Sequence, residues 1–156
     1  MNTSHTLVST VGDYARTTTT GQRAHATTAG DYAHSATTGD YAHATATGGH
    51  AHAATTGDYA HAATTGRLTY ATTTGDYAHA LAAGLRSNAS VSGENAIAVA
   101  VGANSYARAA NGGFIVLAQY DEDTVVAVKT AQVGKDGIKP DTWYKLSPTG
   151  EFVEAE

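Results

Sequence analysis

Polar, small and glycine positions alternate in a pattern that repeats every nine residues from residue 12 to residue 110. The most regular unit, residues 57–65, reads Gly-Asp-Tyr-Ala-His-Ala-Ala-Thr-Thr. The fourth and sixth positions of such a unit hold small residues, whereas the third and fifth hold Tyr, His, Arg or Asn. This alternation has the period of two that is typical of a β-strand, so we predict that small residues point inward and bulky ones outward. A glycine opens each unit, at positions 12, 21, 30, 39, 48, 57, 66, 75, 84, 93 and 102.

A strict repeat of this length is typical of a solenoid. Nine residues are too few for a full turn, so we predict an all-β parallel β-solenoid with two units, about eighteen residues, per coil and coils stacked about 4.8 Å apart. Because the inward residues are small, the two sheets should lie closer than the roughly 10 Å of ordinary sandwiches. Alanine-rich sequence also favours helix, and polar low-complexity sequence is often disordered. The regular glycines and threonine triplets oppose a helix, and the strict register opposes disorder.

The repeat stops after residue 110, and apolar segments separated by acidic or glycine-containing turns follow it. We predict strands over residues 114–120, 125–133, 141–146 and 151–153, paired as antiparallel hairpins. Such a cap would cover the open edge and core of the last coil. The predicted organisation is therefore a solenoid over residues 1–110 and a cap over residues 111–156. The cap contains more large aromatic residues than are needed to cover one coil end, so we predict that the chain forms a homodimer or homotrimer through them. These residues are Phe114, Trp143, Tyr144 and Phe152.

The coil units become more apolar from about Leu81 onward. We interpret this change as a widening of the coil toward a larger core. The apolar residues concerned are Val91, Ile97, Val99 and Val101.

The chain contains no cysteine and has a formal net charge of −5, which argues against a basic surface for nucleic acid. Residues 1–110 hold six acidic side chains and five arginines, so most of the negative charge belongs to the cap. Residues 1–11 lack the features of a signal peptide or a membrane span. We therefore expect a soluble cytoplasmic protein, in the host cytoplasm if a phage encodes it, with no membrane partner and no direct nucleic-acid partner.

The sequence resembles two groups of known proteins. Residues 87–102, Ser-Asn-Ala-Ser-Val-Ser-Gly-Glu-Asn-Ala-Ile-Ala-Val-Ala-Val-Gly, resemble the coil motif of trimeric autotransporter adhesin heads over two units. Nearly the whole chain is similar to uncharacterised repeat proteins of gut bacteria and their prophages, in which threonine-rich nonapeptides lead into a cap. The cap similarity rests on residues 113–118 and 138–146. This second resemblance implies the fold and a mobile-element setting, but no activity.

With two units per coil, alternate units lie on two different faces. The units that begin at Gly21, Gly39, Gly57, Gly75 and Gly93 form a regular face with an acidic, a tyrosine and a histidine column, whereas the other face is irregular. Stacking of like residues and capping of the glycine corner by Asp would explain the columns structurally. A flat surface rich in Tyr and His also suits binding. The predicted binding residues are Asp40, Tyr41, His43, Asp58, Tyr59, His61, Asp76, Tyr77 and His79.

The same columns argue against metal binding and catalysis. A straight row of histidines offers mostly two ligands at a time, whereas zinc needs convergent ligands. The calcium-binding nonapeptide pattern requires more glycines than each unit contains. Catalysis needs one unique constellation, but Asp, His and hydroxyl groups recur here at regular intervals. We therefore predict a protein that is not an enzyme and that uses neither metal nor cofactor.

Three functions remain open. The leading hypothesis is a non-catalytic protein of a phage or mobile element that inhibits a host defence protein, for example one that binds nucleic acid, in the manner of anti-CRISPR proteins. It would act by blocking a surface or by partial charge mimicry, since residues 24–66 contain an acidic column and no Lys or Arg. The alternatives are a fibre-like or adhesin-like structural protein, expected as a stable trimer, and an ice-binding protein. The threonine pairs that favour ice binding are Thr18 and Thr20, Thr45 and Thr47, and Thr72 and Thr74.

Overall fold

The computed structural model describes residues 5–155, which form a parallel β-solenoid that ends in two antiparallel hairpins. The predicted fold class is confirmed. Residues 1–4 and residue 156, which the predicted domain boundaries include, lie outside the described residues. Residues 5–155 contain no helix that could cross a membrane. The strands are β1 (Leu7–Val11), β2 (Arg16–Thr20), β3 (His25–Ala29), β4 (His34–Thr38), β5 (His43–Thr47), β6 (His52–Thr56), β7 (His61–Thr65), β8 (Tyr70–Thr74), β9 (His79–Ala83), β10 (Asn88–Val91), β11 (Ile97–Ala100), β12 (Tyr106–Arg108), β13 (Phe114–Asp121), β14 (Thr124–Gln132), β15 (Tyr144–Leu146) and β16 (Phe152–Glu154).

Consecutive strands alternate between two sheets. The odd sheet has the order β1-β3-β5-β7-β9-β11-β13-β14, and the even sheet has the order β16-β15-β12-β10-β8-β6-β4-β2. Within the coils every strand pairs in parallel with the strand eighteen residues away, as His25 pairs with His43 and His43 with His61. The repeat of the three-dimensional structure is therefore twice the repeat of the sequence, as predicted.

The interior of the coils is about one small side chain thick. Ala42, Ala44 and Ala46, at the fourth, sixth and eighth positions of one unit, are at most 1% exposed. The hydroxyl of Ser35, on the even sheet, donates to the carbonyl oxygen of Ala26 on the odd sheet over 2.8 Å. The two sheets are thus close enough for a serine to bridge them. Because alanine buries little apolar area, the coils depend strongly on backbone hydrogen bonds between neighbours.

The eighth position of each unit also points inward, a direction that the sequence left open. Each coil strand begins at the fifth position, so the sixth and eighth positions share the inner face. Six buried threonine hydroxyls lack a hydrogen-bond partner among the described residues: those of Thr19, Thr28, Thr37, Thr55, Thr64 and Thr73.

Each corner of the coil has an unusual backbone. Gly57 has a φ of +141°, and a Cβ placed there would overlap the carbonyl oxygen of Gly39 in the neighbouring coil. Two residues later the backbone is left-handed, with φ of 58° at Tyr41 and 56° at Tyr59. This conformation costs a non-glycine residue roughly 1–2 kcal/mol. Hydrogen bonds between coils hold it in place, as the amide of Tyr41 donates to the carbonyl oxygen of Asp58 over 2.9 Å.

The predicted antiparallel cap extends both sheets. β13 continues the odd sheet in parallel with β11 and then turns back into β14. On the even sheet, β15 pairs antiparallel with β12 and with β16. Only Tyr144–Leu146 of the predicted segment 141–146 forms a strand. Large side chains fill the interior beneath the cap, namely Ile115, Leu117, Val133, Ile138 and Tyr144.

Of the four apolar coil residues that we interpret as a widening core, only Val91 is buried, with 1% of its side chain exposed, and it pairs with Thr73, a residue of similar size. Ile97 and Val99 lie at the fifth and seventh positions, so they face outward and are half-buried, as is Val101. Their inward neighbours are alanines. The apolar residues therefore widen no core, and instead make the outer face of the odd sheet apolar near the cap.

Candidate binding surface

The nine predicted binding residues lie together along one corner of the solenoid. This corner leads from each even strand into the next odd strand, so the Asp and Tyr columns lie on the turn and the His column opens the odd strands. We call this surface the regular corner; it consists of Asp40, Tyr41, His43, Asp58, Tyr59, His61, Asp76, Tyr77 and His79. The structure brings these residues together, and their role in binding stays a prediction.

The tyrosines of the regular corner form a continuous stack. The ring centroids of Tyr41 and Tyr59, and of Tyr59 and Tyr77, are 5.1 Å apart, with interplanar angles of 5° and 7°. The guanidinium of Arg23 lies 5.9 Å from the ring centroid of Tyr41 and extends the stack. The three tyrosines are 44–48% exposed. Stacking therefore restricts the rings while leaving their edges and hydroxyls open to a partner.

The histidine column is stacked in the same way. Ring centroids are 4.6 Å apart for His25 and His43, 4.8 Å for His43 and His61, and 5.0 Å for His61 and His79. Burial lowers the pKa of His43 and His61, and the neighbouring histidines of the column lower it further. The central histidines are therefore mostly neutral at pH 7, and a neutral ring offers both a hydrogen-bond donor and an acceptor.

The lowered pKa values of these histidines predict that the protein loses stability in mild acid. Burial also lowers the pKa of His52, and the neighbouring His34 and His50 lower it further. A histidine whose pKa is lowered by folding binds its proton more tightly in the unfolded chain. Its stabilising contribution is therefore complete above the unfolded pKa of about 6.5 and is lost as the pH falls below that value. We expect the melting temperature, followed by circular dichroism, to be flat above about pH 7 and to fall between about pH 6.5 and 5.

The control for this prediction removes the titrating groups. In a variant with His43→Gln, His52→Gln and His61→Gln, the melting temperature should depend much less on pH over this range. Carboxylates protonate mostly below about pH 5, so they leave the range largely undisturbed. An unchanged pH dependence in the variant would show that the histidine columns are not responsible.

The Asp column supports the backbone of the corner. One carboxylate oxygen of Asp40 accepts the amide of Asp58 in the next coil over 3.2 Å. Asp58 accepts the amide of Asp76 over 3.0 Å, and Asp76 accepts that of Glu94 over 2.8 Å. Each of these Asp residues therefore supports the corner of the neighbouring coil, and one of its two carboxylate oxygens already accepts a hydrogen bond.

Two shorter aromatic stacks that the sequence reasoning missed lie outside the regular corner. One of them lies on the opposite corner, which leads from each odd strand into the next even strand. The rings of Tyr14, Tyr32 and His50 stack with centroid distances of 5.0 and 4.7 Å. On the outer face of the even sheet, His52 stacks on His34 at 4.8 Å and on Tyr70 at 4.9 Å. The eighteen-residue spacing of these residues was the signal that could have identified both stacks.

The four residues predicted to mediate oligomerisation lie in different environments. Phe114 is 39% exposed on the outer face of the odd sheet. Trp143 lies beneath the guanidinium of Arg108, 4.7 Å from the ring centroid. Tyr144 is 2% exposed, its hydroxyl accepts the amide of Lys139 over 2.9 Å, and Phe152 packs against the same core. Tyr144 and Phe152 therefore stabilise the cap itself, and Phe114 is the most accessible of the four.

The threonine pairs considered for ice binding do point outward, because they occupy the seventh and ninth positions. On the even sheet, the ninth position forms an unbroken exposed column of Thr20, Thr38, Thr56 and Thr74. The seventh position holds Ala36 and Ala54 between Thr18 and Thr72. Only one of the two columns is therefore continuous. On the odd sheet, Thr45 is half-buried and Thr47 exposed, and their columns continue into Leu81 and Ala83.

Within residues 5–155, no group of three or more His, Asp or Glu side chains could hold a metal ion. Neighbouring histidine rings stack face to face, with interplanar angles of 5°, 12° and 26° along His25, His43, His61 and His79, and therefore do not converge on one point. Comparison with known proteins finds no matching family model, no matching curated protein and no matching solved structure. The two resemblances and the expected absence of enzymatic activity therefore stay predictions.

Proposed function

We propose that this chain is a non-catalytic binding protein that contacts another protein through its regular corner. The observation that carries the proposal is the stack of Tyr41, Tyr59 and Tyr77, whose rings are held parallel while nearly half of each side chain is exposed. A side chain that is already ordered loses little entropy on binding, and tyrosine supplies both apolar contact and a hydroxyl. The column therefore combines a large contact area with a small ordering cost.

The charge of this region favours a protein partner over nucleic acid. Residues 24–66 contain no Lys or Arg, and the regular corner carries carboxylates from Asp40, Asp58 and Asp76. Affinity for nucleic acid depends largely on Lys and Arg that neutralise phosphates. Neutral histidines and tyrosine hydroxyls instead suit the polar contacts of a protein interface.

The specific form that we propose is an intracellular inhibitor from a phage or mobile element that blocks a surface of a host defence protein. Charge mimicry has less support, because six acids and five arginines nearly cancel over residues 1–110. One oxygen of each Asp in the column also accepts a backbone amide. Tyrosine and histidine contacts would therefore supply most of the affinity.

The test is a capture experiment with a host lysate, followed by measurement of affinity for the recovered protein. The variant carries Tyr41→Asn, Tyr59→Asn and Tyr77→Asn. Asparagine is suitable because it tolerates the left-handed conformation and the chain itself has Asn95 and Asn104 at the same position of the unit. We expect the affinity for the recovered partner to fall at least about tenfold, as for loss of central aromatic contacts in an interface.

A matched control carries Tyr14→Asn and Tyr32→Asn at the same position of units on the opposite corner. It should fold equally well by circular dichroism and retain the partner. Equal recovery by the wild type and the regular-corner variant would assign these tyrosines a purely structural role. Equal loss from both variants would show that the contact is not specific to the regular corner.

Ice binding is a second candidate because of the threonine column on the even sheet. The exposed Thr20, Thr38, Thr56 and Thr74 occupy equivalent positions in consecutive coils. Thermal hysteresis near the freezing point would support it, and Thr38→Tyr with Thr56→Tyr should then abolish the effect. Absence of hysteresis in the wild type would exclude this function.

A further inference from the structure

The aromatic column on the outer face of the even sheet is interrupted at Asn88. His34, His52 and Tyr70 stack in consecutive coils, with centroid distances of 4.8 and 4.9 Å. Strand pairing places Asn88 in the next coil of this column and Tyr106 in the coil after that. An asparagine side chain is much shorter than a tyrosine side chain. The column therefore has a gap beyond Asn88, between the two tyrosines, which we call the ring slot.

The ring slot has about the width of one planar ring. Two coil steps separate Tyr70 from Tyr106, which corresponds to about 9.6 Å along the solenoid axis. A flat ring between two others needs about 7–8 Å, because carbon atoms in contact lie about 3.5–4.0 Å apart. The cavity at the slot has a volume of about 380 Å³, enough for a small ligand. It is lined by Leu68, Tyr70, Arg86, Asn88, Asn104 and Tyr106.

The floor of the ring slot can hydrogen-bond to such a ring. Asn88 Oδ1 is buried and lacks a hydrogen-bond partner among the described residues. The terminal torsion of an asparagine is soft, so the carboxamide can turn toward a ligand. An asparagine carboxamide matches the adenine edge that carries N6 and N7, since it accepts from the amino group and donates to the ring nitrogen. The slot therefore combines two ring faces with a side chain that can read a base.

Basic side chains lie beside the ring slot. The units that begin at residues 66, 84 and 102 hold Arg67, Arg86 and Arg108 and no acidic residue. Arg67 and Arg86 are exposed on the opposite corner, and Arg86 lines the cavity of the slot. Within residues 5–155, none of the three arginines forms an ion pair. Although the chain carries a net charge of −5, this part of its surface is therefore suited to a phosphate.

The same surface continues toward the cap. Arg108 Nε donates to Ser90 Oγ over 2.8 Å, and the guanidinium lies 4.7 Å from the ring centroid of Trp143. Trp143 lines a second cavity of about 260 Å³, which shares Asn88 and Tyr106 with the cavity of the ring slot. An ordered cation and a third aromatic ring therefore adjoin the slot. Basic and aromatic side chains along one groove are typical of surfaces that bind single-stranded nucleic acid.

We propose that the ring slot binds an adenine nucleotide, either free or as part of a single strand. The base lies between the rings of Tyr70 and Tyr106 with its edge on Asn88, and the phosphate contacts Arg86. Stacking accepts any base, so the preference for adenine depends on Asn88. The slot lies on the outer face of the even sheet, away from the regular corner. The proposal is therefore independent of the protein contact proposed above.

Isothermal titration calorimetry of the full chain tests the proposal with adenosine monophosphate. We expect this ligand to bind more tightly than adenosine or ribose 5-phosphate, because each of these lacks one of the two contacts. Guanosine monophosphate should also bind more weakly, since guanine presents two acceptors at the edge that Asn88 would read. Equal affinity for ribose 5-phosphate or for guanosine monophosphate would overturn the proposal.

A hexanucleotide of deoxyadenylate distinguishes the two sources of the ligand. Affinity at least about tenfold above that of adenosine monophosphate would identify a single strand, whose further bases reach Trp143. Equal affinity would identify the free nucleotide. Absence of binding by both ligands would overturn the proposal.

Asn88→Tyr is the variant that fills the ring slot. Its ring should extend the stack of His52 and Tyr70, so we expect a melting temperature, followed by circular dichroism, no lower than that of the wild type. The affinity for adenosine monophosphate should fall at least about tenfold, because the base loses its place between the two tyrosines. An unchanged affinity in this folded variant would show that the nucleotide does not occupy the slot.

Arg86→Asn tests the phosphate contact, with Arg23→Asn as its matched control. Both arginines occupy the third position of a unit, with φ of 56° and 58°, and asparagine occupies this position at residues 95 and 104. Arg86→Asn should weaken binding of adenosine monophosphate about tenfold and leave that of adenosine unchanged. Arg23 lies on the regular corner, so its replacement should change neither. Equal weakening by both variants would indicate non-specific attraction of the phosphate and overturn the proposal.

Discussion

Replacement of Gly57 by alanine is expected to lower the free energy of unfolding by more than about 4 kcal/mol. The backbone φ of +141° at this residue is rarely accessible to an L-amino acid. In addition, the new Cβ would overlap the carbonyl oxygen of Gly39 and lie 2.9 Å from the amide nitrogen of Asp40. Both atoms belong to the backbone of the adjacent coil, which is itself hydrogen-bonded, so they cannot move away cheaply.

Gly12 provides the control that separates these two causes. Its φ is +140°, yet nothing lies within 4 Å of the position that a Cβ would occupy. Gly12→Ala should therefore show only the conformational cost, about 1–3 kcal/mol. Urea denaturation followed by circular dichroism measures both variants. Equal losses would mean that close approach of the coils contributes nothing to the requirement for glycine.

Replacement of the buried threonines by valine is expected to have a large effect in the opposite direction. Thr28, Thr55, Thr64 and Thr73 are at most 3% exposed, and their hydroxyls lack a partner among the described residues. Valine has nearly the same shape, and removal of an unpaired buried hydroxyl should stabilise the fold by about 1 kcal/mol or more at each site. The chain already accepts this residue in the Thr73 column, where Val91 is the neighbour of Thr73.

Thr69 is the matched control because it is equally buried but hydrogen-bonded. Its hydroxyl lies 2.9 Å from that of Ser87. Thr69→Val should therefore destabilise the protein by about 1 kcal/mol, while the fourfold valine variant should melt at a higher temperature than the wild type. A fourfold variant that is less stable would indicate that the threonine hydroxyls make hydrogen bonds through bound water.

Much of the candidate surface was predictable because its residues repeat at the period of the coil. Once two units were assigned to each coil, the columns that contain Asp40, Tyr41 and His43 followed from the numbering alone. The same reasoning applied to Tyr14 and Tyr32 would have found the opposite stack. That stack is harder to identify from the sequence because its column soon changes from aromatic residues to other types.

Whether a side chain faces the interior depends on its odd or even position in the strand rather than on composition. Composition alone predicts that Ile97 and Val99 belong to a core, because apolar residues are usually buried. Their odd positions in the unit place them outside, and alanine takes the inner positions between them. The orientation of the Thr64 side chain could not be predicted for a related reason. Threonine is common on both faces of these strands, so its chemistry does not identify the inner face.

The sequence by itself determined the solenoid, the eighteen-residue coil, the antiparallel cap and the aromatic columns. These features depend on short-range backbone geometry and on a repeat that returns each residue type to the same position. Tertiary structure decided which cap aromatics are buried and that β16 is short and β14 long. Those outcomes depend on how non-repeated segments pack on the last coil. No local pattern encodes that packing, because each contact joins residues that occur only once in the chain.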